Sequence, residues 1–592
     1  MITIRSKLYA EPQDNLSATQ QILLNRGIPL CDQEEWLNAD SEHLRTLNEF
    51  DEETLRYMCG IYNEIIICLS QRKQIAIIVD PDVDGYTSAA ILYNGIGQLL
   101  KYSFPPMDVY CMMVPIFHEG KAHGFNDVMD KILEVNPGLV IAPDGGSNDI
   151  EAHKELAKRG IVSAVLDHHE IDINPKESPA IIVNVQNSEH KNKALTGAGV
   201  TWAFIRYWEE SRNYHHKVSD SLLDLCALGN IGDMADYREL EIRAIAKCGL
   251  ANVQSPFLDF MIKKHDYSIS KMNGLNYYSC AFYVAPYINA VVRSGTMEEK
   301  EFVFKALLDP YANKMVKPSS SRERRAEIPW YEEAVLITER VKRRQTNQQN
   351  EAMEFFDNQI EEENLTDNAI ILCHCDEDDI APSLAGLIAN KIQAKYQHPT
   401  MVLRDCGDEL SGSARNYSYC DIDDMKSICS ETGLMNLAAG HSNAFGAAIS
   451  KSKVSQFIEA TNEAYKGITW VPTYWVDYSW EADEVDADKI LEIGSMTIFG
   501  QEIPESLVAV KDVPLKPSMI TLMGKNKDTI KVALPNGVNA IIFKQSEEVY
   551  KEMCDTDTYL YMVCKPNVNE WQGVVSPQLL VEDFYLVQKY IF

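Results

Sequence analysis

Apolar residues recur at helical intervals through the first 70 positions, at Leu23, Leu24, Ile28, Leu37, Leu44, Leu47, Leu55, Ile61 and Ile65, and this spacing predicts helices. From residue 75 the period changes. Short apolar runs alternate with amphipathic stretches: strand 75–79, helix 87–100, strand 108–114, helix 125–135, strand 139–142, helix 149–159, strand 162–166 and strand 181–185, then helices. Strands separated by helical segments imply parallel βαβ units. A polar, sparsely apolar stretch over 331–363 predicts a long exposed helix with little core of its own. A second α/β pattern follows, with strand 369–373, helix 382–396 and strand 400–404. Beyond 470 the chain turns aromatic. Between 517 and 592 come β-rich runs (MITLMG, TIKVAL, NAIIFKQ, TYLYMVC, LLVEDFYLV), with Pro535-Asn536-Gly537 as a hairpin signal.

The informative positions are those just past the strands. IAIIVDPDVDGYTS runs from apolar β-formers into Asp80, Asp82 and Asp84, closed by Gly85, which admits a sharp backbone turn, with Thr87 placed to cap a helix. Carboxylates this crowded call for a divalent counter-charge. A calcium EF-hand would need Glu at its twelfth position, where Ile91 stands. An aspartyl-nucleophile phosphatase loop also fits Asp80 to Val83, and so does a solvated acidic turn. The later segments decide among these. LVIAP ends in Asp144 within DGGSND, VSAVL ends in Asp167-His168-His169, and SLLDLCALGNI ends in Gly232-Asp233. Acid or imidazole thus returns where the C-terminal edge of the sheet should lie, the place where open α/β sheets hold their sites. An aspartyl-nucleophile enzyme has no use for Asp-His-His. Carboxylates with one or two imidazoles suit Mn²⁺ or Mg²⁺, and two such ions about 3.5–4 Å apart serve phosphoryl chemistry.

Length and composition add bounds. A chain of 592 residues, 45% hydrophobic and 24% charged, predicts three or four soluble domains. No run of about 18 apolar residues occurs and the N-terminal stretch lacks a signal-peptide core, so a cytoplasmic protein without membrane contact is expected. The 14 cysteines include no C-x-x-C pair, and Cys373 and Cys375 around His374 read as core thiols in a reducing compartment. A net charge of −32 argues against a protein that coats nucleic acid non-specifically, although a local grip remains open. One reversal stands out: residues 314–344 carry nine basic against five acidic side chains, including Arg322, Arg324, Arg325, Lys342, Arg343 and Arg344. It reads equally as a phosphate-tracking patch or a solvated helix face.

At the strand-end clusters the sequence resembles the DHH phosphoesterase family, and within it the RecJ single-stranded-DNA exonucleases. DPDVDGYTS is similar to motif I, Asp144 to motif II, Asp167-His168-His169 to motif III, and Asp233 in ALGNIGDMA to motif IV. PYINAVVRSG (286–295) resembles the arginine-bearing segment, which would place Asn289 and Arg293 near a substrate phosphate; GAGVTWA (197–203) and QILLNRGI (21–28) also look RecJ-like. GSARN (412–416) and AAGHSNAFG (438–446) are similar to the substrate-binding motifs of the DHHA1 domain, with Ser413, Arg415 and His441 at the matching positions. VNEWQGVVSPQLLVEDF (568–584) resembles the RecJ OB-fold, where Phe543, Tyr559, Tyr561 and Trp571 are candidates for base stacking, at least half of them expected to be barrel core instead. The chain also departs from the pattern. Motif II reads APDGGS, Ala439 replaces a usual glycine, and VPIFHEGKAHGF (114–125) matches the expected histidine-glycine loop only loosely, leaving roles for His118 and His123 open. These departures suit a divergent, phage-borne member.

The resemblance implies an α/β protein: a parallel-sheet DHH domain with an N-terminal helical segment over 1–325, a connecting helix over 326–366, a smaller α/β DHHA1 domain over 367–465, and a C-terminal β-barrel (OB-fold) over 466–592. It implies a metal-dependent 5′→3′ exonuclease releasing mononucleotides from single-stranded DNA in recombination, repair or replication. Asp80, Asp82, Asp84, Asp144, His168, His169 and Asp233 would hold two Mn²⁺ or Mg²⁺ ions, Asp167 would orient the imidazole behind it, and Asn289, Arg293, Ser413, Arg415, His441 and Trp571 would meet the substrate. A monomer is expected, with single-stranded DNA as partner and a single-stranded-DNA-binding protein or helicase as protein partners. Two alternatives differ in class: a phosphodiesterase for short oligonucleotides or cyclic dinucleotides, and a non-catalytic replication scaffold. The OB-like segment disfavours the first and the complete metal motifs disfavour the second.

Overall fold

The apolar runs after residue 75 become one parallel sheet in the computed structural model, which describes residues 3–588 apart from 45–49, 121–122, 215–216, 320–325, 418, 421, 468–470 and 556. The chain divides into two units: Cys31–Gln345 with Thr497–Pro504, and Met1–Leu30 with Thr346–Met496 and Glu505–Phe592.

The first unit holds strands β1 (Ile75–Val79), β2 (Met113–Phe117), β3 (Leu139–Pro143), β4 (Val162–Asp167) and β5 (Ile181–Asn184), in the order β2-β1-β3-β4-β5 with every pairing parallel. Every residue of β1 and β3 is buried, as a sheet covered on both faces requires. The second strand lies later than the predicted 108–114. Asp108 accepts a hydrogen bond from Tyr110 N at 3.0 Å and opens a 3₁₀ turn over Val109–Met112, so the extended run begins only at Met113. Pro115 is tolerated there because β2 is an edge strand.

Helix α1 (Val83–Leu100) starts earlier than its periodicity indicated. Its N-cap is Asp82, which accepts the Gly85 N–H at 2.8 Å, whereas Thr87 lies inside the helix and donates to Val83 O at 3.0 Å. Gly85 is needed for close approach rather than for a turn: a Cβ there would come within 2.5 Å of Asp80 Cβ and O. Helices α2 (Gly197–Ser211) and α3 (Leu223–Gly232), both largely buried, complete the frame around the strand ends.

A further helix, α4 (Ala285–Ser294), precedes the long helix α5 (Trp330–Glu362), which passes from one unit into the other. The expectation of little core needs correction. Ala334, Val335, Thr338, Val341 and Gln345 are buried in the first unit, and Gln349, Ala352, Phe356 and Ile360 in the second, at steps of one to four residues. The stripe was hidden because glutamine and threonine occupy part of it; Gln345 Nε2, for instance, donates to Ser294 Oγ at 3.0 Å.

In the second unit, a five-stranded sheet runs Met435–His441, Ala444–Ser450, Glu409–Arg415, Thr400–Cys406, Ile371–Cys375, parallel only at its last pair. Cys373 and Cys375 are buried in it, burial pushes both thiols up (Cys375 to about 11), and all fourteen cysteines are free. A seven-stranded sheet follows in the order Tyr478–Glu481, Val508–Pro514, Thr558–Trp571, Val574–Gln588, Asn539–Ile542, Thr529–Ala533, Ile520–Met523. Its Pro535–Gly537 turn has the left-handed residues the sequence called for, Asn536 at φ 61° and Gly537 at φ 76°.

The N-terminal expectation was wholly helical. Helices do form at Ala18–Asn25, Gln33–Leu37 and Glu52–Ser70, while Leu47 lies outside the described residues. Arg5–Leu8, however, is a strand, paired in parallel with Thr473–Val476. Its partner lies more than 460 positions away, so local periodicity could not reveal it. The next helix is tied to the same unit: Glu492 accepts from Thr19 N at 2.9 Å and Ala18 N at 3.2 Å. No described helix is long and apolar enough to cross a membrane.

Candidate metal centre

The C-terminal ends of β1, β3 and β4 and the end of α3 deliver the predicted acids and imidazoles to one place. His168 Nε2 lies 3.2 Å from Asp144 Oδ1, 3.6 Å from Asp233 Oδ2 and 3.8 Å from Asp84 Oδ2. Two sets have their ligand atoms within 4.8 Å of one another, Asp144 with His168 and His169, and Asp84 with His168 and Asp233. Asp80 and Asp82 stand beside them without joining either set.

Each side chain is held by something the fold supplies. Asp84 is buried and accepts from Thr196 Oγ1 at 2.7 Å, Gly197 N at 2.7 Å and Ala198 N at 3.0 Å, so the N-terminus of α2 stabilises its charge. Asp144 takes a left-handed backbone (φ 78°), a costly conformation for a residue with a side chain and one that marks functional loops. Gly197 makes room for it, because a Cβ at 197 would lie 2.3 Å from Asp144 Cβ. Asp167 accepts from His168 N at 2.7 Å, His169 N at 3.1 Å and His169 Nδ1 at 2.8 Å, and its other oxygen from Ser147 Oγ at 2.6 Å. Asn184 ties this turn to β5 by donating to Ser147 Oγ at 2.9 Å and His169 O at 3.0 Å.

The two histidines whose roles the sequence left open both meet Asp80. His123 Nδ1 is 2.9 Å from Asp80 Oδ2, His118 Nε2 is 3.1 Å from Oδ1, and His118 Nδ1 bonds Asp127. Sequence reasoning missed Ser147, Asn184 and Asp127. Ser147 lies in the DGGSND run already quoted; Asn184 and Asp127 left no local signal.

The electrostatics are those of a crowded acidic site. Burial, then Asp84, Asp82 and Asp80, raise the Asp144 carboxyl well above its ordinary range. Burial and the Asp84 charge raise Asp82. Asp233 is pushed up to about 8 by burial and then by Asp84 and Asp82, although 39% of its side chain is exposed. Burial lowers His168. The bond to Asp167 raises His169 to about 9 against the opposing effect of burial. Burial would raise Asp167, but the bonds from His169 and Ser147 outweigh it and hold that carboxyl below its usual range. Asp144 Oδ1 is buried and, although His168 Nε2 stands 3.2 Å away, accepts no hydrogen bond among the described residues. Raised carboxyls around an orphaned carboxylate oxygen are what a cation would relieve, and the carboxylate-imidazole sets fit Mn²⁺ or Mg²⁺.

The other predicted residues fall into separate groups. Asn289 and Arg293 sit one turn apart on α4; Asn289 Oδ1 is buried without a hydrogen-bond partner among the described residues, and Arg293 is close enough to Asp82 for their charges to interact. In the second unit Arg415 and His441 both lie opposite Ala444 on the strand between them, and Ser413 lies opposite Gly446. Gly386 belongs with them, since a Cβ there would come within 2.5 Å of Arg415 Nη2. Trp571 is 71% exposed at a hairpin end and Phe543 52% exposed. Tyr559 and Tyr561 are half-buried, so none of the four aromatics is fully in the core. Of the basic stretch, Arg322, Arg324 and Arg325 lie outside the described residues, while Arg344 pairs with Glu299 at 2.8 Å and Arg340 with Glu333 at 2.9 Å. Those two ion pairs favour the solvated-face reading for this part of the patch.

The DHH family, N-terminal domain, matches residues 74–230, and the RecJ OB domain matches residues 476–583. YorK of Bacillus subtilis (strain 168), which carries the name of an SPbeta prophage-derived single-strand DNA-specific exonuclease, is 30% identical over 596 residues, covering 98% of each chain. The single-stranded-DNA-specific exonuclease RecJ of the same organism is 25% identical over 557 residues, 91% of this chain and 65% of that protein. Among solved structures, RecJ of Thermus thermophilus in complex with Mn²⁺ superposes with a TM-score of 0.71 at 18% identity, covering 98% of this chain and 80% of the other.

Proposed function

This chain belongs to the RecJ-like family of DHH exonucleases, and from that premise we propose that it is a metal-dependent 5′→3′ exonuclease that hydrolyses single-stranded DNA to mononucleotides. The observation that carries the reading is the convergence of Asp84, Asp144, His168, His169 and Asp233 on the C-terminal edge of one parallel sheet, with a buried Asp144 oxygen that accepts no hydrogen bond among the described residues.

In this reading Asp84, Asp144, His168, His169 and Asp233, with Asp80 and Asp82 beside them, hold two divalent cations. Bound Mn²⁺ or Mg²⁺ supplies an activated water and offsets charge on the phosphoryl group. The chain's own groups do the rest. Asp167 fixes His169 with Nδ1 protonated, leaving Nε2 as the coordinating nitrogen. The N-terminus of α2 holds Asp84 in place through the Gly197 and Ala198 N–H groups. Asn289 and Arg293 offer a carboxamide and a guanidinium to a substrate phosphate. On the second unit Ser413, Arg415 and His441 are further phosphate contacts, and Trp571 is a base-stacking contact.

The test is one assay. Single and double strands labelled at either end are incubated with Mn²⁺, with Mg²⁺ and with excess chelator. Mononucleotides released from the 5′ end of single strands, only with metal, are expected. Full activity in chelator, or preference for duplex or for dinucleotides alone, would overturn the proposal.

A further inference from the structure

The second unit carries a cluster of cations and aromatic rings, remote in sequence from the metal motifs, that the reading above does not use. In the paired strands Arg5–Leu8 and Thr473–Val476, alternation puts Arg5 and Lys7 on one exposed face, with Lys7 directly opposite Trp475. Trp475 is 48% exposed, Lys7 Nζ stands 5.7 Å from its ring, and the Tyr9 ring, 37% exposed, lies 5.5 Å away. Arg26, which forms an ion pair with Asp477, packs 4.3 Å from the Tyr9 ring. Along the same strand runs a groove of about 380 Å³ lined by Arg5, Lys7, Lys511, Tyr561 and Tyr585 among others, with no carboxylate among the described residues lining it. Tyr561 and Tyr585 stack at 4.8 Å and 14°, and Asp512 accepts the Tyr561 hydroxyl at 2.5 Å, which sets the ring.

In a chain of net charge −32 a groove with three cations and no lining carboxylate runs against the general field. Residues two apart on a strand are about 6.6 Å apart, on the scale of one nucleotide of an extended strand, so Arg5, Lys7 and then Tyr9 repeat at a step a phosphate backbone can follow. Exposed rings interleaved with cations are the surface a sequence-tolerant single-strand site needs. An acidic peptide would use the charge and leave the rings unused; duplex DNA would find no stacking. We propose that this face binds single-stranded DNA, with bases on Trp475 and Tyr9 and phosphates along Arg5, Lys7 and Lys511. The proposal rests on the reading of the chain as a nuclease of single strands, and extends that reading to Arg5, Lys7, Tyr9 and Trp475, which lie outside both family matches, beside Lys511 within the RecJ OB match.

The full chain is tested in excess EDTA, so that binding is read without cleavage, by fluorescence anisotropy on a long labelled oligothymidylate across a salt series. The variant R5A/K7A/K511A is expected to lower the log–log salt slope by about 2, from roughly 0.7 per phosphate contact, and to weaken binding tenfold or more at low salt. Trp475→Ala is expected to cost roughly 5- to 150-fold, the range of one lost stack, whereas Trp475→Tyr should recover most of it. That recovery separates stacking from a fold defect, which thermal melting checks directly. Unchanged slope and affinity in these variants overturn the proposal, also if they lose binding to an acidic protein instead. A parent protein that binds strands but never cleaves them sinks the nuclease reading and leaves this face standing; one that cleaves while all variants bind normally sinks this face alone.

Discussion

His169 donates its Nδ1 proton to Asp167 Oδ1 across 2.8 Å, and the same oxygen accepts the backbone N–H of His168 and of His169 itself. One buried carboxylate therefore fixes both the tautomer of the imidazole and the turn that presents it. The acidic member of the Asp-His-His run is thus explained by geometry: a carboxylate so occupied has little left to offer a metal.

Asp167→Asn preserves shape but loses the charge that favours the Nδ1-protonated ring. The variant is expected to stay folded and to bind Mn²⁺ about 10- to 100-fold more weakly, the usual cost of removing a carboxylate behind a ligating histidine. Calorimetric titration with Mn²⁺ reads this directly. An affinity equal to that of the parent would place Asp167 outside the metal chemistry.

The same centre sets a pH dependence. His169 holds its proton to about 9 rather than 6.5, and Asp233 to about 8 rather than 3.8. Both groups bind protons more tightly folded than unfolded, so each favours the fold at lower pH and loses that contribution as pH rises through its folded value. Between pH 6.5 and 8 both lose together. Burial's lowering of His168 acts below pH 6.5, and the lowered Asp167 acts only in stronger acid, so neither opposes the trend in this window. The melting temperature of metal-free protein should fall from pH 6.5 to 9, and Mn²⁺ should raise it more at the alkaline end, where cations no longer compete with protons. Scanning calorimetry in EDTA and in MnCl₂ tests both; a metal-free melting temperature that climbs across the window would contradict the assignment.

Much of this was legible from the residues because the signals are local. Apolar runs ending in Asp80, Asp144 and Asp167 announce strands and strand ends together, and the sheet follows. What escaped was set by distant partners or by polar residues in apolar roles. Arg5–Leu8 reads as nothing until Thr473–Val476 lies beside it. The buried face of α5 is disguised by Thr338, Gln345 and Gln349. Asp82 took the cap expected of Thr87 because its carboxylate reaches the Gly85 N–H first. His118 and His123 became interpretable only when Asp80 was seen between them.

Loss of a ligand should separate catalysis from binding. Asp82→Ala and His168→Ala are each expected to reduce hydrolysis by at least about a thousandfold, since electrostatic stabilisation of the phosphoryl charge is the main thing such a site provides. Binding of long single strands in chelator should change little, because the strand contacts proposed above include groups in the second unit as well. Parallel measurement of turnover and anisotropy decides it. Near-parental turnover in either variant would remove that residue from the metal set.

Arg26 and Asp477 form the tie that makes the first thirty residues part of the second unit. Arg26 Nη1 and Nη2 each donate to a separate Asp477 oxygen at 2.9 Å, both side chains are buried, and Asn25 Nδ2 adds a third bond to the carboxylate at 2.8 Å. Removing one partner strands the other charge away from water, so Asp477→Ala is expected to destabilise the second unit by about 3–5 kcal/mol, while R26M/D477L, which removes both charges, should recover much of the loss. Urea unfolding followed by probes in that unit measures the three proteins side by side. The pair also governs how truncation should be done. Cutting the chain at residue 466 to isolate the metal-binding part would remove the partner of Arg5–Leu8 and the Asp477 carboxylate that Arg26 binds, so weaker strand binding by such a fragment would report unfolding as readily as a lost binding module. Point changes such as Trp571→Ala keep the tie intact and give the cleaner comparison. If Asp477→Ala costs less than about 1 kcal/mol, the N-terminal residues are an appendage and the truncation becomes informative after all.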